Sequence, residues 1–333
     1  MPNNSNNKII ENSKVLVTGG AGFIGSNIIE KLLKQNNTII CLDNLSTGKL
    51  KNIEKYLSLD NFTFLDEDIR DINVCQKACN GIDIVLHQAA LGSVPRSIND
   101  PVTTNSVNIT GFLNILTAAR DNKVKRFVYA ASSSTYGDSI NLPKTEDIIG
   151  NPLSPYAVTK YVNELYAKVF SDLYEIETIG LRYFNVFGKN QDPDGAYAAV
   201  FPKFIKSFIN HEAPIIHGDG TQSRDFTYIA NVIQANELAA TTTNPKALNT
   251  IFNVAYGEQN SLNDLTKELI NGLTKFDSSI ANIKPEYGPV RKGDIKDSLA
   301  SIEKAQNLLG YAPQYDVHKG LKEAIKWYYE NLK

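Results

Sequence analysis

A chain of 333 residues with 42% hydrophobic content can bury a large core, and it predicts one large domain joined to a smaller lobe. A formal net charge of −2, with no aromatic-interleaved basic patch, excludes an electrostatic case for nucleic acid or a membrane surface. No run approaches the roughly 18 apolar residues of a membrane span, and three cysteines, Cys41, Cys75 and Cys79, with no charged-then-apolar leader, lead to the expectation of a reducing cytoplasm.

Residues 1–13 are polar and Asn-rich, with Ile9 and Ile10 the one apolar pair, and read as a frayed tail or a short docked helix. Lys14 to Thr18 is a short apolar strand that runs into Gly19-Gly20-Ala21-Gly22-Phe23-Ile24-Gly25, and a helix carrying Ile28, Ile29, Leu32 and Leu33 follows. In such a strand, Gly-rich turn and helix, backbone N–H groups approach a pyrophosphate where a Cβ would obstruct it. The second strand, Thr38 to Leu42, ends in Asp43, 18 residues beyond Gly25, where a carboxylate accepts from an adenosine ribose. The same acid repels a 2′-phosphate, so the cofactor expected is NAD rather than NADP.

Strand-like and helical runs then alternate. Strands are predicted at Phe62 to Leu65, Ile82 to His87 and Phe127 to Ala131, with helices from about Ile72 and from Val102 to Arg120. This pattern predicts an α/β fold of Rossmann type, a doubly wound parallel sheet with ligands at the carboxyl ends of its strands. Asp68-Ile69 follows the third strand and suits the adenine, Gln88-Ala89-Ala90 follows the fourth near the pyrophosphate and ribose, and Ser132-Ser133-Ser134 follows the fifth. Cys75 and Cys79, four residues apart, lack a matching Cys/His pair and read as helix-face packing, so no metal site is expected.

A helix from Ser154-Pro155-Tyr156 to about Tyr174 comes next, with Ser154 as N-cap and Pro155 at its first position, and a sixth strand spans Ile176 to Arg182. Tyr156 and Lys160 stand a turn apart on one face of this helix. The same spacing recurs at Tyr315/Lys319 and Tyr329/Lys333, so spacing alone does not mark a site; the cap, the serines and the cofactor turn single out the first. A tyrosine base working near pH 7 needs its pKa lowered by roughly 3 units, or about 4 kcal/mol. One cation about 4 Å away at an effective dielectric of 20 supplies about that much before desolvation opposes it. Lys160 with the charge of an oxidised nicotinamide therefore suffices. The serine hydroxyls can hold a substrate oxygen while Tyr156 takes its proton, the equipment for oxidising a secondary alcohol. From about residue 185 the texture changes to short strands, loops and helices, including His217-Gly218-Asp219-Gly220, which reads as a lobe over the substrate. The expected division is a tail at 1–13, an NAD-binding domain at 14–184 with later strands interleaved, and a mainly substrate-binding lobe at 185–333.

The set Gly19-x-x-Gly22-x-x-Gly25, Asp43-Asn44, Asp68-Ile69, Asn108, Ser132 to Ser134, Tyr156-x-x-x-Lys160 and Arg182-Tyr183-Phe184-Asn185 resembles the extended short-chain dehydrogenase/reductase family over roughly residues 14 to 330. Within it, residues 90–97, 131–138 and 151–156 are similar to those of bacterial UDP-N-acetylglucosamine/UDP-N-acetylgalactosamine 4-epimerases. The resemblance implies tightly held NAD, contacted also by Phe23, Ile24, Asn108, Tyr156, Lys160 and Tyr183. It implies oxidation of the sugar at carbon 4 with Tyr156 as base, rotation of the 4-keto sugar, and reduction on its other face. Relatives that dehydrate carry Asp-Glu at the positions of Ser133-Ser134, and relatives that decarboxylate carry Glu at the latter, so epimerisation is the reaction left.

The resemblance further implies that Asn185, Ala199 and Val200 contact the diphosphate and uracil, and that Ile216 and His217 lie beside the base. Arg224 and Arg291 pair the diphosphate, Asp294 accepts from the uridine ribose, and Ser93 and Arg96 face the sugar. Ser298 replaces a tyrosine of glucose-confined relatives and leaves room for a 2-acetamido group. A homodimer through the helices near 102–120 and 155–174 is implied too. Alternatives are a 4-epimerase of UDP-N-acetylglucosaminuronate, with Arg96 meeting the carboxylate, a UDP-glucose/UDP-galactose 4-epimerase, and an NAD-binding redox sensor without turnover.

Overall fold

A computed structural model describes residues 9–192, 200–290 and 297–332. The first half lays down strands and helices by turns: β1 (Lys14–Thr18), α1 (Phe23–Leu33), β2 (Thr38–Asp43), β3 (Phe62–Asp66), α2 (Ile72–Cys79), β4 (Ile84–His87), α3 (Val94–Asn99), α4 (Pro101–Asn105), α5 (Phe112–Asp121), β5 (Arg126–Ser132), α6 (Pro155–Tyr174) and β6 (Thr178–Tyr183). The second half adds β7 (Val186–Phe187), α7 (Val200–Ile209), β8 (Ile215–His217), β9 (Ser223–Arg224), β10 (Thr227–Tyr228), α8 (Ile229–Thr241), β11 (Thr250–Val254), β12 (Asn260–Ser261), α9 (Leu262–Leu273), β13 (Glu286–Gly288), α10 (Glu303–Leu309) and α11 (Val317–Asn331).

Seven strands form one parallel sheet in the order β11-β6-β5-β4-β1-β2-β3. The chain runs outward from β1 to β3, then returns to the other side of β1 with β4. That reversal opens a crevice at the carboxyl ends of β1 and β4. The strands are near-continuous apolar runs because both sheet faces are covered. On one face α1 and α8 close a core containing Val15, Val17, Ile28, Ile29, Val232 and Phe252. On the other, α2 and α5 pack Cys75, Cys79, Phe112, Ile115 and Leu116 against Leu16, Val85 and Phe127. The two cysteines are thus helix-face packing. A third core gathers Phe201, Phe204, Phe208, Leu265, Leu269, Leu321 and Tyr328 from α7, α9 and α11.

One element differs from the periodicity reading. The helix expected from Val102 to Arg120 is α4 and α5 joined by a π-helical turn over residues 106–111 that carries Asn108. The N-terminal tail, where described, is not helical; Ile10 is buried in the first core, and its carbonyl accepts from Asn37 Nδ2 at 2.8 Å. Among the described residues no helix is long and apolar enough to cross a membrane.

Candidate active site

The turn after β1 is shaped by close approach of backbones. Gly19 has φ +67°, and a Cβ there would stand 2.7 Å from the Ala89 nitrogen. A Cβ on Gly25 would stand 2.2 Å from the Gly19 carbonyl oxygen, so this glycine lets α1 pack onto the turn. No side chain caps α1 at Gly22, which leaves first-turn N–H groups for an anion. Twelve expected cofactor contacts, Gly19, Gly22, Phe23, Ile24, Gly25, Asp43, Asn44, Asp68, Ile69, Gln88, Ala89 and Ala90, line one cleft here. Asp43 fixes its rim by accepting from the N–H of Ala21 at 2.9 Å and of Leu45 at 2.8 Å, and burial raises its pKa. Asn44 Nδ2 donates to Asp68 at 2.8 Å, while the Arg70 guanidinium holds the Asp68 carboxyl below the usual range. A glycine cradle beside an acidic ribose position fits a dinucleotide without a 2′-phosphate.

Behind the cleft lies a polar layer that strand and helix patterns do not announce. Tyr183 donates to Gln88 Oε1 at 3.1 Å and accepts from Asn236 Nδ2 at 2.9 Å, and Gln88 Nε2 donates to Asn236 Oδ1 at 3.2 Å. This closed ring sets the Gln88 side chain. Thr18 Oγ1 meets His87 Nδ1 at 2.8 Å and accepts from Ala89 N at 3.2 Å, tying β1 to β4. Asn108 accepts from Leu91 N at 2.8 Å and donates to Thr159 Oγ1 at 3.1 Å, so its amide joins the loop after β4 to α6.

The candidate reactive group is built where β5 ends and α6 begins. Ser154 caps α6, accepting from Ala157 N at 3.1 Å, with Pro155 at the first turn as its sequence predicts. Ser134 Oγ donates to Ser132 Oγ at 2.9 Å, and the Ser132 side chain lies near enough to the Tyr156 phenol to favour its ionised form. The Ser132–Ser134 hydroxyl pair therefore lies beside Tyr156, and Ser133 does not join it. Lys160 is buried, its ammonium donating to the Ala130 carbonyl at 2.9 Å and lying 6.0 Å from the Tyr156 ring centre. Burial pushes Lys160 down to about 8, with the Glu164 charge opposing. Glu164 is itself clasped by Arg182 through two 2.8 Å bonds inside the protein. The electrostatics amend the sequence arithmetic: burial leaves the Tyr156 phenol above its ordinary value, with Ser132 only partly offsetting it. His87 is pushed down to about 3, by burial and then by Lys160, and is a neutral neighbour.

The residues expected to hold substrate lie on several separate elements, from α3 to the segment after residue 297. Ser93 has φ +112° and caps α3, its Oγ accepting from Arg96 N at 3.2 Å. Asn185 has φ +35° and donates to the Asp225 carbonyl at 2.9 Å. Val200 opens α7. Ile216 is wholly buried in the lobe core, so its side chain serves packing, while His217 beside it meets the Pro289 carbonyl at 3.1 Å. Arg224 Nη1 donates to the Ser223 carbonyl at 2.9 Å, and Ser298 N donates to the same oxygen at 3.1 Å, which places these two residues side by side. Ala199, Arg291 and Asp294 lie outside the described residues. Asn236 and Asp225 were missed by sequence reasoning, because their partners lie on distant elements and no local spacing marks them.

The pattern of the NAD dependent epimerase/dehydratase family matches residues 15–255. The chain belongs to this family and is an enzyme that uses NAD. A putative UDP-glucose 4-epimerase of Methanocaldococcus jannaschii is 38% identical over 319 residues, covering 95% of this chain and 99% of that protein. A UDP-glucuronate 4-epimerase of Thermodesulfobacterium geofontis is 36% identical, covering 95% and 96%. The solved structure of a UDP-N-acetylglucosamine 4-epimerase from Methanobrevibacter ruminantium, in complex with UDP-N-acetylmuramic acid, superposes with a TM-score of 0.90 at 38% identity, covering 96% and 99%.

Proposed function

We propose that this nucleotide-sugar 4-epimerase interconverts UDP-N-acetylglucosamine and UDP-N-acetylgalactosamine. The observation that supports the reaction is the Ser134–Ser132 hydroxyl pair beside Tyr156, with no acid at positions 133 and 134. Ser132 orients the sugar 4-hydroxyl and Tyr156 removes its proton, then returns a proton to the 4-ketone oxygen once the sugar has turned. The glycine turn and Asp43 would hold NAD, which when bound would supply the hydride chemistry and a positive charge favouring the phenolate. Lys160, held by Ala130, adds its own charge from within the protein. Carbon 5 keeps its proton, because Ser133 and Ser134 offer no carboxylate to remove it.

The choice of sugar rests on Ser298, held beside Arg224 on the Ser223 carbonyl. A small side chain there leaves room for a 2-acetamido group, and the Methanobrevibacter ruminantium neighbour, named for UDP-N-acetylglucosamine, supports this reading over the glucose and glucuronate names of other relatives. The test is Ser298→Tyr: turnover of UDP-N-acetylglucosamine falls at least tenfold while UDP-glucose is spared. Full N-acetylated turnover in that variant overturns the assignment. We also propose a homodimer, supported by the exposed apolar stripe Val158, Leu165, Val169 and Leu173 on α6 beside exposed Val102.

A further inference from the structure

We propose that Asp225 is the positioning residue of the sugar-nucleotide lobe, its carboxylate joining the end of β11 to the 297–301 segment and so setting where Arg224 and Ser298 stand. The inference rests on the reading of that lobe as the UDP-sugar site. Asp225 is wholly buried between Arg224 and Phe226. Oδ1 accepts from Tyr256 N and Gly257 N at 3.2 Å each, and Oδ2 accepts from Gly257 N and Ala300 N at 3.2 Å each. Its carbonyl takes the Asn185 amide at 2.9 Å. Three stretches far apart in sequence thus converge on one residue.

The consequence for the pocket follows from chain connectivity. Ala300 is two residues from Ser298, and Arg224 is bonded directly to Asp225. On the other side Ser223 Oγ donates to Asp297 Oδ1 at 2.7 Å, so the segment is held from both ends of Ser298. Asparagine has the same shape but one acceptor atom; it satisfies one side and turns an N–H against an N–H on the other. A protonated carboxyl has a similar defect.

Among the described residues no cation hydrogen-bonds this carboxylate. The titratable groups around it are Tyr311, whose hydroxyl donates to the Ala255 carbonyl at 2.9 Å, Tyr256, Glu258 and Asp297, with Arg224 directed at Ser223. Burial pushes the Asp225 carboxyl up to about 7 against the pull of the backbone N–H groups. The clasp is complete above that value and is lost as pH falls through it.

The experiment measures calorimetric affinity for UDP, referred at each pH to its dianionic terminal phosphate because that group itself titrates near pH ~6, and kcat and KM for the UDP-sugar turned over, on the NAD-loaded chain between pH 6 and 8.5. For the wild type, Kd and KM rise roughly tenfold from pH 8 to pH 6, as one proton at a group near 7 requires, while kcat moves less. In Asp225→Asn both stay high and flat with pH, and bound NAD is unchanged. Ser223→Ala raises both severalfold and keeps the pH slope. A wild-type Kd that is flat with pH, or an Asp225→Asn Kd within twofold of wild type with the same slope, overturns the proposal. Should Asp225→Asn not fold, the wild-type slope and Ser223→Ala decide. If UDP binds with the predicted slope but no sugar is epimerised, the assigned reaction fails and this inference stands; if UDP does not bind at any pH, both fall.

Discussion

The three serines at the end of β5 are chemically equal in sequence and unequal in space. β5 is extended through Ser132, which directs that side chain to Tyr156, and the 3-10 turn from Ser133 to Tyr136 brings Ser134 back onto it. Ser132→Ala should therefore lower kcat by about 10²-fold or more, with Ser133→Ala within about threefold of wild type; steady-state kinetics showing equal losses would contradict the ranking. The rival Tyr315/Lys319 pair, indistinguishable by spacing, is a cation–π contact with the ammonium 4.4 Å from the ring centre and donating to the Gln314 carbonyl. Lys160 differs by burial, and its pH behaviour shows it. Its pKa falls from 10.5 to about 8 on folding, so below pH 8 both states are charged and the full burial penalty, about 3 kcal/mol, is present. As pH rises from 8 towards 10.5 the folded chain gives up the proton first and the penalty is relieved. The stability of Lys160→Met relative to wild type should therefore drop by about 2 kcal/mol between pH 7 and pH 10 in urea unfolding. The three buried cysteines, raised by burial, contribute equally to both proteins and cancel. A constant difference would show that Lys160 is not desolvated.

At the scale of elements, α6 does two things with two faces. Its first two turns present Tyr156 and Lys160, and the Ser154 cap with Pro155 that sets where the helix starts was legible because capping chemistry is local. Its outer face leaves Val158, Leu165, Val169 and Leu173 in solvent at i, i+7, i+11 and i+15, a stripe wider than a lone surface helix explains. Leu165→Asp should convert a dimer to a monomer in sedimentation velocity while bound NAD is retained; a wild-type chain that sediments as a monomer would remove the interface. The π-helical turn at Asn108 was not legible, because it inserts a residue without disturbing the apolar periodicity that predicted one continuous helix.

For the molecule as a whole, the first half was readable in order because each βα unit is completed within about 30 residues, and turn glycines, apolar runs and the acid after β2 are neighbours in sequence. The substrate side was less so. The ring of Tyr183, Gln88 and Asn236 and the clasp on Asp225 join residues up to 148 apart, and only the fold brings them together. The seven-stranded sheet supplies the crevice, at the carboxyl ends of β1 and β4 where the strand order reverses. The most direct measurement incubates the purified chain with UDP-N-acetylglucosamine, and separately with UDP-N-acetylgalactosamine, UDP-glucose and UDP-N-acetylglucosaminuronate, without added NAD, and follows the products by nuclear magnetic resonance. Conversion of the two N-acetylhexosamine nucleotides into one another, abolished in Tyr156→Phe, is the predicted result; interconversion confined to the uronate or to UDP-glucose, or undiminished in Tyr156→Phe, would contradict the account.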